Sequence, residues 1–453
     1  MKNIFTLSFL LVFTTLLLLF SGAATAQSSS AAGEPHILPM QERAKVIDSW
    51  LEYRLDNLVP ELMRREGIDM WVLIAREYNE DPVLLTMLPA TWQSSRRTTI
   101  LVFFDPGNGQ PVERLAVARY NIGFFETQWF VDEEPDQWKR LGEVIAERNP
   151  RRIGINVSEH FALADGLSFT DYSLLMANLD EAFHPRVVSA ENLSVGWLET
   201  RTPQEIAVYR QVSRIAHAII EEGLSEAVIT PGVTTTSDVQ WWFRERIRER
   251  KLTAWFHPTV QVIRAQQDEH SGDFSGSYDL NVIQPGDIVH MDLGITYLRL
   301  STDTQRNAYV LRPGETEVPQ DLRYALAVGN RLQDILTAEF VTGRTGNEIL
   351  AAALQKARAE GIQATIYTHP LGFHGHGAGP TIGLWDQQGG VPGSGDYPLY
   401  PNTAHSIELN AEVFIPSWNR SIRVMLEENA LFDGERVYYI DGRMTEFYVI
   451  PRQ

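Results

Sequence analysis

Two strands joined by a turn are predicted in the stretch Gly286-Asp-Ile-Val-His-Met-Asp-Leu-Gly-Ile-Thr-Tyr-Leu-Arg-Leu-Ser-Thr-Asp-Thr-Gln-Arg306. Asp292 lies on the first predicted strand and Asp303 on the second. The apolar residues before Asp292, together with Leu298 and Leu300, give the paired strands a buried face. Two carboxylates that point into one interior repel each other, so we expect a cation between them.

A second stretch, Thr368-His-Pro-Leu-Gly-Phe-His-Gly-His-Gly-Ala-Gly379, is too rich in glycine for an ordinary core segment. Glycine allows the backbone to approach a ligand closely, and here it flanks His374 and His376. A single histidine more often fills or caps a structure than binds a metal. The two histidines are therefore candidates only in combination with other ligands.

Two apolar strands near the C-terminus each carry a carboxylate. Glu408 lies within His405-Ser-Ile-Glu-Leu409, and Glu427 and Glu428 lie within Val424-Met-Leu-Glu-Glu-Asn-Ala-Leu-Phe432. Because strand side chains alternate between faces, only one of the adjacent glutamates can point into the site. Four carboxylates and one imidazole suit one or two divalent ions such as Mn²⁺, Co²⁺ or Zn²⁺.

The composition limits the classes of function. The chain has 453 residues, which favours two domains, and a formal charge of −19, which argues against nucleic acid or an anionic membrane as the partner. It contains no cysteine, so disulfides and thiolate metal sites are excluded and any metal must be held by oxygen and imidazole.

The N-terminus has the pattern of a secretory signal peptide, predicted to span residues 1–26. Lys2 precedes an apolar run from Ile4 to Phe20, and small residues follow up to Ala26. A membrane anchor is the alternative, but the run is at the short limit for spanning a bilayer and an Ala-X-Ala cleavage site follows it. We expect an exported protein, periplasmic or secreted, with a mature chain that starts near Gln27.

The remaining chain divides into two predicted domains. Residues 36–196 alternate helix and strand patterns, as in an α/β domain, and residues 197–453 combine amphipathic helices with an antiparallel sheet, as in an α+β domain. Thr202-Pro-Gln-Glu205 is a predicted capping box at the start of the second domain. All the candidate ligands lie in the second domain.

In order along the chain, Asp292, Asp303, His376, Glu408 and Glu427 resemble the five-ligand signature of the M24, or pita-bread, metallopeptidases. The resemblance covers roughly residues 197–445, and the extra N-terminal domain resembles that of the branch containing creatinase, prolidase and aminopeptidase P. It implies a pita-bread α+β fold and two divalent ions, with Mn²⁺ as the first choice.

The resemblance also implies a role for each ligand. Asp292 would hold one ion alone, Asp303 and Glu427 would bridge both ions, and His376 and Glu408 would hold the second ion. Glu408 would also act as the proton shuttle for a metal-bound hydroxide. These roles are what the family implies for the matching positions.

Further histidines are implied near the substrate. His270 lies roughly where the family places one, and His257 competes with it. The family also places a histidine seven residues after the ligand histidine, where this chain has Gly383, with Trp385 two positions on. We therefore expect either His374 or His369 to substitute from another direction, or a different chemistry.

The expected function is that of an exported Xaa-Pro aminopeptidase or Xaa-Pro dipeptidase acting on short peptides. One alternative is a creatinase-like hydrolase of a small non-peptide amide or amidine, which a chelator would distinguish. Another is a non-catalytic relative that binds peptides without cleaving them. The resemblance further implies a homodimer or homotetramer.

Overall fold

The structure, a computed structural model, describes residues 36–266 and 281–452. The predicted signal peptide and His270 lie outside the described residues. Within these ranges, no helix has both the length and the apolar character that crossing a membrane requires.

The first part of the described chain is an α/β unit built on a six-stranded sheet, counted over those residues. Its sheet order is β4-β3-β2-β1-β5-β6. The strands are β1 (Met70–Arg76), β2 (Thr98–Phe104), β3 (Glu113–Ala116), β4 (Glu126–Thr127), β5 (Ile153–Ile155) and β6 (Val187–Ser189). The helices are α1 (Met40–Tyr53), α2 (Val59–Glu66), α3 (Pro82–Met87), α4 (Gln137–Arg148), α5 (Phe169–Asn178) and α6 (Glu191–Glu199). A π-helical turn, Arg54–Leu58, joins α1 to α2.

Together α1, the π-helical turn and α2 form one continuous helical run from Met40 to Glu66. It ends at Gly67, whose φ of 63° is a left-handed conformation that glycine adopts without strain. The predicted boundary after residue 196 falls inside α6, a helix whose C-terminal half is buried. The two parts are joined there by Arg54, whose Nη1 donates to the Glu205 carboxylate at 2.9 Å.

The second part contains a nine-stranded sheet in the described residues, with helices packed against it. The main path is β13-β15-β16-β12-β9-β8, and β14, β17 and β18 pair at its sides. The strands of this part are β7 (Thr253–Ala254), β8 (Thr259–Ile263), β9 (Ile288–Leu293), β10 (Ile295–Tyr297), β11 (Leu300–Ser301), β12 (Thr304–Val310), β13 (Gln363–Ile366), β14 (His369–Leu371), β15 (Thr403–Ile415), β16 (Arg420–Phe432), β17 (Val437–Tyr439) and β18 (Tyr448–Ile450). The helices are α7 (Pro203–Gly223), α8 (Thr236–Glu249), α9 (Gln320–Thr337) and α10 (Gly346–Ala359).

The capping box at Thr202 and Glu205 is confirmed, and it opens α7 with Pro203 in the first turn. Apolar faces of the helices and of the sheet form two large buried clusters, one around α7, α8 and β9 and one around α9, α10, β15 and β16. The site described next lies on the strands of the nine-stranded sheet.

The predicted pair of strands around the aspartates is confirmed in outline and wrong in one detail. Asp292 lies on β9, but Asp303 immediately precedes β12, and a separate small hairpin of β10 and β11 lies between them. The hairpin turns at Leu298 and Arg299, whose φ values of 55° and 62° are uncommon for residues with large side chains. Arg299 donates hydrogen bonds to the carbonyls of Thr86 and Leu88, each at 3.0 Å, so this hairpin is fixed to the first part of the chain.

Candidate metal centre

One row of cross-strand neighbours carries three of the predicted ligands. Asp292 on β9 lies opposite Gln305 on β12, Gln305 lies opposite Glu427 on β16, and Glu427 lies opposite Glu408 on β15. Directly opposed residues of antiparallel strands place their side chains on the same face. The register of four strands therefore brings Asp292, Glu427 and Glu408 together, although they are far apart in the sequence.

Asp303 and His369 complete the cluster. The backbone N–H of Asp303 donates to Asn429 Oδ1 at 2.9 Å, which fixes the residue at the start of β12. The His369 Nε2 atom lies 3.6 Å from Asp303 Oδ2, 3.5 Å from Glu427 Oε1 and 3.9 Å from Glu408 Oε2. His369 begins β14, which pairs with the strand that carries Glu408.

This geometry differs from the predicted choice of imidazole. The prediction took His376 as the histidine ligand, whereas His369 is the histidine whose Nε2 faces three carboxylates. His376 lies beside it: the two rings are 4.7 Å apart between centroids, and a nitrogen of each lies within 4.8 Å of an Asp303 oxygen and of the other. His376 is the more exposed of the two. We therefore assign the inner imidazole position to His369 and the outer one to His376.

The reassignment also accounts for Gly383 and Trp385. The interval of seven residues that the resemblance implies occurs between His369 and His376, so no histidine is needed at position 383. Gly383 has a φ of 77°, and a Cβ there would lie 2.3 Å from the Ile366 carbonyl oxygen, so the backbone itself requires glycine. Trp385 is 61% exposed.

The other candidate histidines lie elsewhere. His374 belongs to none of the possible metal-binding groups among the described residues, and burial followed by the charge of Arg201 lowers its pKa. His257 packs against Trp241 with ring centroids 5.0 Å apart, and its Nδ1 is 3.3 Å from Arg244 Nη1. The predicted substitution by His374 is therefore not needed, and His257 is engaged with α8.

The electrostatics of the carboxylates favour a bound cation. Burial, and then the negative charge of neighbouring carboxylates, raise the pKa values of Asp292, Asp303 and Glu408 well above the usual range. Burial also raises the pKa of Glu427 to about 7, although its Oε1 accepts a hydrogen bond from the Ser406 hydroxyl at 2.6 Å. A divalent ion would offset the repulsion between these carboxylates and allow them to ionise.

The two imidazoles are held neutral. Burial lowers the pKa of His369 to about 4, and burial together with the neighbouring His369 lowers that of His376 to about 4. A neutral imidazole has a free lone pair, which is the form that binds a metal.

Unsatisfied atoms give a direct test of whether these residues fit a metal. Four buried atoms of the cluster have no hydrogen-bond partner in the described part of the chain: Asp292 Oδ1, Asp303 Oδ1, Glu427 Oε2 and His369 Nε2. Each of them is a ligand-type atom, and buried polar atoms are normally paired. Oxygen and imidazole donors of this kind suit Mn²⁺, Co²⁺ or Zn²⁺, so the residues fit a metal centre.

Glu428 points away from the centre, as the strand alternation predicts. Its Oε1 accepts hydrogen bonds from Arg306 Nη1 and from the backbone N–H of Met444, each at 2.6 Å. Arg306 is itself buried and also contacts His217 at 2.9 Å. This ion pair supports β16 from behind the cluster.

Trp255, a residue that the sequence did not indicate, forms one wall of the site. Its indole N–H donates to the Thr302 carbonyl at 2.8 Å, and its ring lies 5.1 Å from that of His376. A Cβ added at Gly294 would lie 2.0 Å from the indole nitrogen, and one at Gly375 would lie 2.1 Å from the ring. The indole therefore fills a slot that exists only because both positions are glycine.

Comparison with known proteins agrees with this geometry. The profile of metallopeptidase family M24 matches residues 207–431, a range that contains every residue of the cluster. No sequence among the curated proteins matches the chain.

Solved structures share the fold over most of the chain. The X-Pro aminopeptidase from Thermotoga maritima has a TM-score of 0.60 at 17% identity, covering 86% of this chain and 99% of that one. The Xaa-Pro dipeptidase from Bacillus anthracis has a TM-score of 0.58 at 17% identity, covering 91% and 100%. The prolidase from Pyrococcus furiosus has a TM-score of 0.54 at 15% identity, covering 85% and 99%. The predicted α+β pita-bread fold is thus confirmed, and the chain belongs to metallopeptidase family M24 and is a peptidase of that family.

Proposed function

We propose that this protein is an exported two-metal exopeptidase that hydrolyses the bond before a penultimate proline. The observation that carries the proposal is the convergence of four carboxylates and the His369 imidazole, with ligand-type atoms that lack partners within the described residues. The similar solved structures are an X-Pro aminopeptidase, an Xaa-Pro dipeptidase and a prolidase, which supports proline-containing peptides as the substrate class.

The positions of the side chains suggest how two ions would be shared. Asp292 would bind the first ion, Asp303 and Glu427 would bind both, and Glu408 with His369 would bind the second. Mn²⁺ is the proposed ion, with Co²⁺ and Zn²⁺ as alternatives. When bound, a pair of ions would supply Lewis-acid chemistry, lowering the pKa of a shared water and polarising the scissile carbonyl.

Proton transfer and stabilisation of the developing negative charge are assigned to side chains of the protein. Glu408, a partly exposed residue at one end of the row, would accept a proton from the attacking water and pass it to the leaving nitrogen. His376, neutral and exposed beside His369, is placed to donate a hydrogen bond to the carbonyl oxygen as negative charge develops on it. Trp255 limits the space on the side of His376.

The test combines metal analysis with two substrates. Purified protein is assayed for bound metal and for hydrolysis of an X-Pro dipeptide and an X-Pro-Y tripeptide, with and without a strong chelator. We expect bound metal, cleavage of at least one substrate and loss of cleavage with the chelator. Bound metal without cleavage would support a peptide-binding relative, and chelator-resistant hydrolysis of an amide would support a creatinase-like enzyme.

Export and assembly are proposed from the sequence. Residues 1–26 have the pattern of a signal peptide, so the N-terminal sequence of the protein isolated from the periplasm or medium should begin near Gln27.

A homodimer or homotetramer is proposed from the family resemblance, and light scattering of the purified protein would decide between these and a monomer.

A further inference from the structure

Gln305 is the neutral residue in a row of acids. It lies directly opposite Asp292 on one side and Glu427 on the other, and its side chain is 5% exposed. Its Nε2 donates a hydrogen bond to Glu408 Oε1 at 2.7 Å, reaching past Glu427 to the next strand but one. Its Oε1 is buried and has no hydrogen-bond partner among the residues that the structure describes.

Packing alone does not explain a glutamine at this position. Burying a carboxamide removes it from water, and the cost is recovered only when its polar atoms find partners. Within the described residues, the Nε2 atom of Gln305 is hydrogen-bonded to a carboxylate and its Oε1 atom has no partner. The one hydrogen bond that the Gln305 carboxamide donates within the described residues ends on Glu408, so its geometric effect is to orient the Glu408 carboxylate.

Glu408 needs this support more than the other ligands do. Glu427 lies directly opposite it, so two carboxylates face each other, and Glu408 is the more exposed of the pair. Without a donor, repulsion would turn the Glu408 side chain away from Glu427 towards solvent. Asp292, by contrast, lies at the other end of the row and has no carboxylate directly opposite it on β12.

We propose that Gln305 is a positioning residue that holds Glu408 in the orientation required for the second metal ion. The inference rests on the metal centre of the proposed function. Within that centre, Gln305 would support the binding of the second ion and not that of the first. Its loss should therefore weaken the second ion, held by Glu408 and His369, and leave the first ion, held by Asp292, nearly unchanged. Residues that orient metal ligands typically change metal affinity by about 10- to 100-fold when removed.

The test measures the two binding steps separately. Metal-free wild-type protein and two variants are titrated with Mn²⁺ by calorimetry. Gln305→Met keeps the length of the side chain but has no N–H. Gln305→Asn keeps the amide but is one methylene too short to reach Glu408. Thr259→Ala is the matched control, because Thr259 lies opposite Asp292 on its other side and its side chain is exposed. Thermal unfolding with saturating Mn²⁺ checks that each variant is folded.

We expect both Gln305 variants to weaken the second step by about 10- to 100-fold, with the first step within about twofold of the wild type, and Thr259→Ala to behave as wild type. Crystals of the Gln305 variants soaked in Mn²⁺ should show reduced occupancy of the metal ion next to His369 and full occupancy of the ion next to Asp292. Unchanged affinities, or equal weakening of both steps, would overturn the role of Gln305 while leaving the metal centre intact. A wild-type protein that takes up no ion would overturn the proposed function, and this inference with it.

Discussion

His369 and His376 are seven residues apart, and their rings meet edge to face, with centroids 4.7 Å apart and planes at 86°. The inner ring faces three carboxylates, and the outer ring faces Trp255. The two histidines therefore have different surroundings, and we expect them to have different functions.

Substitution of the two histidines should separate metal binding from turnover. His369→Ala should lose at least one of the two ions, because a ligand is removed. His376→Ala should keep both ions and reduce kcat by about 10²- to 10³-fold, the usual effect of removing one donor to a developing oxyanion. Metal analysis and kinetics on the same preparations measure both effects. Loss of metal in His376→Ala with full retention in His369→Ala would reverse our assignment.

Metal removal should lower the stability of the fold. In the metal-free protein the buried carboxylates repel each other, whereas an ion present at about 1,000 times its Kd stabilises the folded state by about 4 kcal/mol. We expect a chelator to lower Tm by several degrees and Mn²⁺ to restore it. Asp303→Ala should show little of this response, and Asp386→Ala, an exposed acid outside the cluster, should respond as wild type. A full response in Asp303→Ala would contradict the proposed bridging position.

Glu199 should make stability depend on pH. This carboxyl is buried, it accepts a hydrogen bond from the Tyr397 hydroxyl at 2.9 Å, and burial raises its pKa to about 8. Its folded pKa exceeds the unfolded value near 4.5, so its contribution to stability is fully present below pH ~4.5 and is lost as the pH rises to about 8. The loss is at most about 1.4 kcal/mol per pH unit in this range.

The measurement compares the free energy of unfolding of wild-type protein and Glu199→Gln, both loaded with Mn²⁺, from pH 5 to 9. Glutamine keeps the acceptor for Tyr397 but does not ionise, so the difference in stability should shift in favour of the variant as the pH rises. A difference that stays constant with pH would show that Glu199 does not titrate in this range.

Gly375 should be required for turnover because of the indole beside it. A methyl group in Gly375→Ala would lie 2.1 Å from the Trp255 ring, so the ring or the segment that carries His376 must move. We expect normal metal content with a substantially lower kcat. Gly389→Ala is the matched control: a Cβ there meets nothing within 4 Å, and activity should not change. Equal activity of the two variants would show that the site tolerates displacement of the indole.

Residues that interrupt an apolar strand were accessible to prediction. Asp292, Glu408 and Glu427 stand out because a carboxylate in such a strand needs a compensating partner. The sequence indicates His369 only as a possible substitute for the second histidine, because the Gly-His-Gly motif around His376 is the more conspicuous pattern. The interval of seven residues between the two histidines was the available signal.

Other features depend on tertiary structure alone. Gln305 lies in a polar segment, and only the register of β12 with β9 and β16 shows that it stands between two acids. Nothing local to Trp255 marks it as a wall of the site, because its slot is formed by glycines distant in the sequence. The sequence predicts a turn in this stretch but does not place it at Leu298 and Arg299, because neither residue is typical of a left-handed backbone.

The hydrogen bonds from Arg299 to the carbonyls of Thr86 and Leu88 affect how far the chain can be shortened while the site keeps its geometry. The loop that sets the spacing of Asp292 and Asp303 is held at its tip by a helix more than two hundred residues earlier in the chain. A fragment that begins at the family-matched region would carry all of the proposed metal ligands and still lack this anchor. The first part of the chain therefore helps to fix the loop between the two aspartates, and we expect a fragment without it to lose this constraint.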